Sequence, residues 1–160
     1  MPIILGRVAG VGKDSEGNER QLTASEALAL RGPCILGTLT FSDAQQKALI
    51  ESSSRQAVES LTGPIMFDTG ASISCFDLKA AEKLGLVTVG KANMISASHD
   101  NHPAPLFAGK LIIDKINVNV ERAMGANLAP QGLIALIGRD IMSIGTLFYN
   151  GLDGSVTFSI

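Results

Sequence analysis

The chain has 160 residues, 46% of them hydrophobic and 18% charged, with 17 glycines and a formal net charge of −2. That length fits one domain burying about two-thirds of its unfolded surface, and the glycine-punctuated apolar runs suit a mostly β fold better than a helical bundle. A slightly acidic chain offers no basic face to nucleic acid, and no stretch approaches the roughly 18 apolar residues of a membrane span, so neither partner is expected.

Residues 2–11 are apolar, broken by Gly6 and Gly10, and read as a strand that pairs with the body or with a partner chain. The opening Met1–Gly6 run is too short for a signal-peptide core, so a cytoplasmic protein is expected. A polar turn follows over Asp14–Arg20. Thr23-Ala-Ser-Glu26 is a capping box that predicts a helix over 24–31, stopped by Gly32-Pro33. Residues 1–32 thus form an N-terminal extension, a strand plus a short helix, ahead of a main domain over 33–160. Cys34 to Phe41 is rich in β-formers and predicts the first strand of that domain. Residues 42–62 read as a surface insertion, with helical signal at Ala44, Lys47, Ala48 and Glu51 and a weakening serine run from Ser52 to Ser54.

Residues 63–72, Gly-Pro-Ile-Met-Phe-Asp-Thr-Gly-Ala-Ser, organise the rest. Ile65, Met66 and Phe67 predict a buried strand that delivers the carboxylate of Asp68 into a tight turn. A carboxylate there loses hydration and needs donors, a charge partner or a shared proton. Gly70 allows close backbone approach, and the Thr69 hydroxyl can both donate and accept. After the turn, Ile73 to Phe76 resumes a strand. Asp77 caps a short helix through Leu84 that ends at Gly85. Val87–Ser98 and Ala104–Asp114 read as two strands joined by Ser98-His99-Asp100-Asn101-His102-Pro103. The two histidines lack a third ligand at sensible spacing, so no metal is assigned. Cys34 and Cys75 also lack ligand spacing; core thiols are expected, with a disulfide left open. Lys115–Asn117 reads as a turn and Val118–Met124 as a strand. A second buried strand, Leu133 to Ile137, ends at Gly138-Arg139-Asp140, and a short helix over 139–144 stops at Gly145. Thr146–Tyr149 and Val156–Ile160 flank Asn150-Gly-Leu-Asp-Gly154, a hairpin signal whose exposed edge a second chain could cover.

The order of an apolar strand, Asp68-Thr69-Gly70-Ala71-Ser72, a long interval and then Leu136-Ile137-Gly138-Arg139-Asp140 resembles the retropepsin-like aspartic proteases over residues 33–160. The resemblance implies a retropepsin-like barrel with a flap hairpin and short helices, in which the strand before Gly138 threads beside the catalytic turn. It implies Asp68 as the catalytic residue, supported by Thr69, Gly70, Ala71, Ser72, Gly138 and Arg139, and no cofactor. The flap would lie around residues 96–107, with Ser96, Ala97, Ser98, His99, Asp100, Asn101 and His102 meeting substrate. Family flaps carry glycine near the tip, and here Asp100-Asn101 stand instead. Many viral relatives place an acid where Ser72 stands, paired with the arginine after the threaded strand. Arg139 is therefore left to bond Ser72, a backbone carbonyl or another acid, and it and Asp140 are assigned structural support.

Hydrolysis of a peptide by carboxylates needs one group to take a proton from water and one to give a proton to the carbonyl oxygen. The chain has one Asp-Thr-Gly, and Leu152-Asp153-Gly154 lacks the hydroxyl residue. The expectation is a homodimer in which two Asp68 residues meet on a two-fold axis, share one proton and hold a water, giving an acidic optimum and a preference for apolar side chains at the scissile bond of a peptide or protein substrate. Two other readings are a retropepsin-fold dimer that binds peptides or assembles without efficient turnover, and a metal-dependent hydrolase built on His99 and His102.

Overall fold

The computed structural model describes residues 3–52, 57–96 and 99–160, and for 94–96 and 99–102 the backbone alone. β1 (Ile3–Arg7) leads into a small exposed hairpin of β2 (Val11–Lys13) and β3 (Glu19–Gln21). α1 (Ala24–Arg31) starts on the expected capping box. Thr23 Oγ1 accepts from the Glu26 N–H at 3.2 Å, and Glu26 Oε2 accepts from the Thr23 N–H at 2.9 Å. β4 (Cys34–Thr40) follows, then α2 (Asp43–Glu51), which buries none of its side chains. β5 (Ser60–Phe67) begins inside the segment read as an insertion: Ser60, Leu61 and Thr62 pair with Thr40, Leu39 and Thr38, and so belong to the main sheet.

β6 (Cys75–Asp77) passes directly into α3 (Leu78–Leu84), which Asp77 caps and Gly85 ends in the left-handed region. β7 (Val87–Ser96) and β8 (His99–Ile113) form a long hairpin, and β8 returns through a tight turn at Asp114, φ 51°, into β9 (Ile116–Ala126). The turn is therefore Asp114-Lys115, starting one residue and ending two residues earlier than the sequence suggested, because Ile116 already pairs with Ile113. A single 3-10 turn, Ala129–Gln131, precedes β10 (Ala135–Ile137) and α4 (Arg139–Met142). β11 (Thr146–Asn150) and β12 (Ser155–Ser159) make the closing hairpin.

The fold is mostly β. Strands run in the order β4-β5-β10-β6-β9-β8, and β8 pairs back onto β4 through Leu111 and Leu39, closing a six-stranded barrel with β7 outside it. Closure leaves no free edge among those six strands at the level where the ring meets. Alternation fills the interior: Ile35 and Leu39 from β4, Ile65 and Phe67 from β5, and Leu111 and Ile113 from β8 are buried. Each such side chain contributes about 1.5–3 kcal/mol on leaving water. β1 resolves the choice left open by the sequence. It pairs within the chain, antiparallel to β12, and gives a terminal sheet ordered β1-β12-β11. The Phe158 ring of that sheet packs at 5.1 Å from Phe67, the residue before Asp68. Among the described residues, no helix is long and apolar enough to cross a membrane.

Candidate active site

Asp68 stands at the end of β5, where the chain leaves the barrel wall. β10 runs parallel to β5, pairing Ile137 with Phe67, and antiparallel to β6, pairing Leu136 with Cys75. β5 and β6 are the two arms of the Asp68–Ser74 turn, so β10 is threaded between them. Two backbone hydrogen bonds hang the turn on this strand and on the helix start that follows it: Asp68 N–H donates to Ile137 O of β10, and Arg139 N–H of α4 donates to Ala71 O, both at 2.9 Å. The Arg139 guanidinium adds a third tie, donating through Nη1 to the Thr69 carbonyl at 2.6 Å. Of the three partners open to Arg139, the structure has the backbone carbonyl.

Gly138 is required by contact rather than by φ. A β-carbon there would lie 2.7–2.9 Å from the backbone of Ile73 and Ser74, with no flexible atom to yield. The Asp68 carboxylate is half-buried and accepts the Gly70 N–H at 2.8 Å, which turns Oδ1 back onto its own loop. Among the described residues no second carboxylate bonds to it. Thr69, Gly70 and Ser72 are exposed, and Ala71 is half-buried. The turn is thus rigidly held from below and open from above.

The sequence reading missed Ser74. It is fully buried; its Oγ donates to Asp140 Oδ1 at 2.7 Å and accepts the Gly138 N–H at 3.0 Å. Asp140 Oδ2 takes the Ser74 N–H at 2.9 Å, and Oδ1 also takes the Ile141 N–H. One serine and one aspartate thereby lock the exit of the turn to the start of α4. A lone hydroxyl inside the apolar run Ile73-Ser-Cys-Phe76 was the available signal. Asp77 is likewise buried and satisfied, accepting from Ala80, Leu128 and Ala129 N–H groups at 3.0 Å each. Burial, then the charges of Asp140 and Asp68, push the Cys75 thiol up to about 11. Cys75 is a protonated core group, and both cysteines are free.

The β7–β8 hairpin differs from expectation at its tip. Ser96 pairs with His99, Met94 with His102 and Asn93 with Pro103, so His99–Pro103 belong to the returning strand and Asp100-Asn101 are no turn. β9 accompanies β8 only as far as Leu106, so Pro103 and Pro105 sit where β8 has one neighbour and a missing N–H is tolerated. Ala97 and Ser98 lie outside the described residues. At the base of the hairpin, Ala92 and Leu106 share a cavity of about 490 Å³ with Ser72, Ile73, Arg122 and Asp140, which sets the hairpin beside the Asp68 turn. Among the described residues, no group of three or more His, Cys, Asp or Glu is placed to hold a metal ion.

No family model and no curated protein matches the sequence. Among solved structures, the chain is similar to a retropepsin-like aspartic protease from Rickettsia conorii, over 98% of this chain and 92% of that one, at 15% identity and a TM-score of 0.45.

Proposed function

We propose that the chain is a homodimeric aspartic endopeptidase in which one Asp68 from each subunit activates a shared water. The observation that carries this reading is the presentation of Asp68: a half-buried carboxylate on a turn tied once to Ile137 of β10 and twice to Arg139 at the start of α4, with Thr69 and Gly70 exposed above it. A turn held this firmly can bring two carboxylates together without reorganising, which is what preorganised catalysis needs. At about 3 Å apart the pair shares one proton. One oxygen takes a proton from water as it attacks the peptide carbonyl, and the other carboxyl gives its proton to the forming oxyanion. The β7–β8 hairpin acts as the flap, closing over an extended peptide and offering it backbone hydrogen bonds.

The dimer reading is supported by apolar surface on the terminal sheet. Leu5, Thr157 and Phe148 stand in one row across β1, β12 and β11, and Ile3 lies two rows along. Ile3, Leu5 and Phe148 are 50%, 71% and 61% exposed, an apolar face that a second copy would cover. This sheet packs through Phe158 on Phe67, the residue before Asp68, which supports a dimer axis close to the Asp68 strands.

The test is cleavage of a mixed peptide library between about pH 3 and 8, wild type beside Asp68→Asn, with oligomeric state measured in the same buffers. Cleavage by the wild type and none by a dimeric, folded variant is the expected result. Cleavage that survives in Asp68→Asn overturns the mechanism. A dimer that binds peptides yet cuts none in either form is an assembly or peptide-binding module instead.

A further inference from the structure

A cavity of about 760 Å³ borders the strand that carries Asp68. Its lining includes apolar Leu30, Cys34, Met66 and Leu133, and its charged lining residues are Arg7 and Arg31, both exposed. Among the described residues no acidic side chain lines it, in a chain whose net charge is −2. Arg7 also sits within reach of the charge on Asp153, whereas Arg31 forms no ion pair among the described residues. The Arg31 side chain lies alongside Gly10, where a β-carbon would meet its Nε at 3.0 Å.

Position gives the cavity its meaning. Met66 precedes Asp68 by two residues on an extended strand, a separation of about 7 Å, and a substrate peptide advances about 3.3 Å per residue. A peptide that passes Asp68 in the direction of Met66 would bring a side chain two or three positions from the scissile bond to the mouth of this cavity. The wall that carries both arginines, Arg7–Ala9 with Leu30 and Arg31, comes from the N-terminal extension and not from the barrel.

We propose that the N-terminal extension builds a substrate subsite here that takes an aspartate or glutamate two or three residues from the scissile bond, with Arg31 as its specificity residue. This rests on the endopeptidase reading. A guanidinium beside an apolar floor suits a carboxylate at the end of a short aliphatic stem, because the stem covers apolar surface while the head group pairs in bidentate fashion. The preference follows ionisation of the substrate carboxyl and fades below about pH 4.

The experiment compares wild type, Arg31→Gln and Arg31→Glu on peptides that carry Glu, Gln or Lys at each position within three residues of the cut, at about pH 5.5 and about pH 3.5. Binding of the same peptides to Asp68→Asn is measured in parallel. Expected in the wild type is a roughly tenfold higher kcat/KM for Glu over Gln at one position near pH 5.5, lost in Arg31→Gln and turned toward Lys in Arg31→Glu. The reversal keeps the test decisive, since a damaged fold would not gain a new preference. Cleavage with no acidic preference, or a preference unchanged by both variants, overturns the subsite and leaves the protease standing. No cleavage by the wild type, with Arg31-dependent binding of Glu peptides to Asp68→Asn, keeps the subsite and removes the protease. Neither cleavage nor binding removes both.

Discussion

Ser74 decides how well the Asp68 turn is held. Its hydroxyl satisfies Gly138 N–H and Asp140 at once, in a place water does not reach. Ser74→Ala keeps the size of the site and strands the Gly138 donor, which costs about 1–3 kcal/mol when a buried group loses its partner. Equilibrium urea unfolding of wild type and variant reads this directly. A difference under about 0.5 kcal/mol, the range of ordinary surface changes, would mean that the network does not support the turn. Asp68, Gly70 and Gly138 stood out in the sequence because each is locally odd: an acid after a buried strand, and glycines where chains meet. Ser74 did not, because its meaning lies in Asp140, sixty-six positions later. Arg139 lay between these cases. The lack of an acid at Ser72 was legible, yet only the folded turn singles out the Thr69 carbonyl.

Short-range signals fixed most of the elements, and the first helix shows what one such signal does under acid. The Glu26 carboxyl is held down at about 2, from an ordinary 4.5, first by the Arg20 side chain and then by the Thr23 backbone and hydroxyl. Because the folded-state value lies below the ordinary one, its stabilisation is complete above about 4.5 and is lost as pH falls from there toward about 2. Glu26→Gln preserves capping geometry and removes the charge, so its melting temperature should fall below wild type at neutral pH, with the gap closing across that window. Thermal melts at stepped pH measure it, and a gap that persists unchanged near pH 2 would exclude the carboxylate as its source. The cap therefore still holds over most of the acidic range proposed for catalysis. The strand-to-helix corner at Asp77 and the closing hairpin were equally legible, since cap and turn residues lie next to what they stop. The β7–β8 tip was misjudged because Asp100, Asn101 and Pro103 are all turn formers. Pairing of Pro103, His102 and His99 with Asn93, Met94 and Ser96 carries the strand through them and outweighs that preference.

At the scale of the whole molecule, the barrel and the terminal sheet answer different needs. The barrel closes on itself and hides its edges; the terminal sheet leaves β11 as an edge strand and turns Ile3, Leu5 and Phe148 outward. That exposed face, with one Asp-Thr-Gly per chain, makes assembly part of the proposed chemistry. The pairing of β1 with β12 was undecidable in the sequence, because an apolar segment of that kind serves an intramolecular or an intermolecular partner equally well. Subunit mixing separates a shared site from a self-sufficient one. If wild-type and Asp68→Asn chains exchange freely and each active centre needs two intact aspartates, activity at constant total chain follows the square of the wild-type fraction, about one quarter at an equal mixture. If each chain works alone with its own aspartate, it follows the fraction itself, about one half. Phe148→Glu supplies the complementary arm: the residue is 61% exposed, so the fold should survive while a charge on the apolar face splits the dimer. The expected outcome is the quadratic curve together with a folded, monomeric and inactive Phe148→Glu. A linear curve would sink the shared-carboxylate mechanism. A fully active monomeric Phe148→Glu would show that the terminal sheet is not where the subunits join.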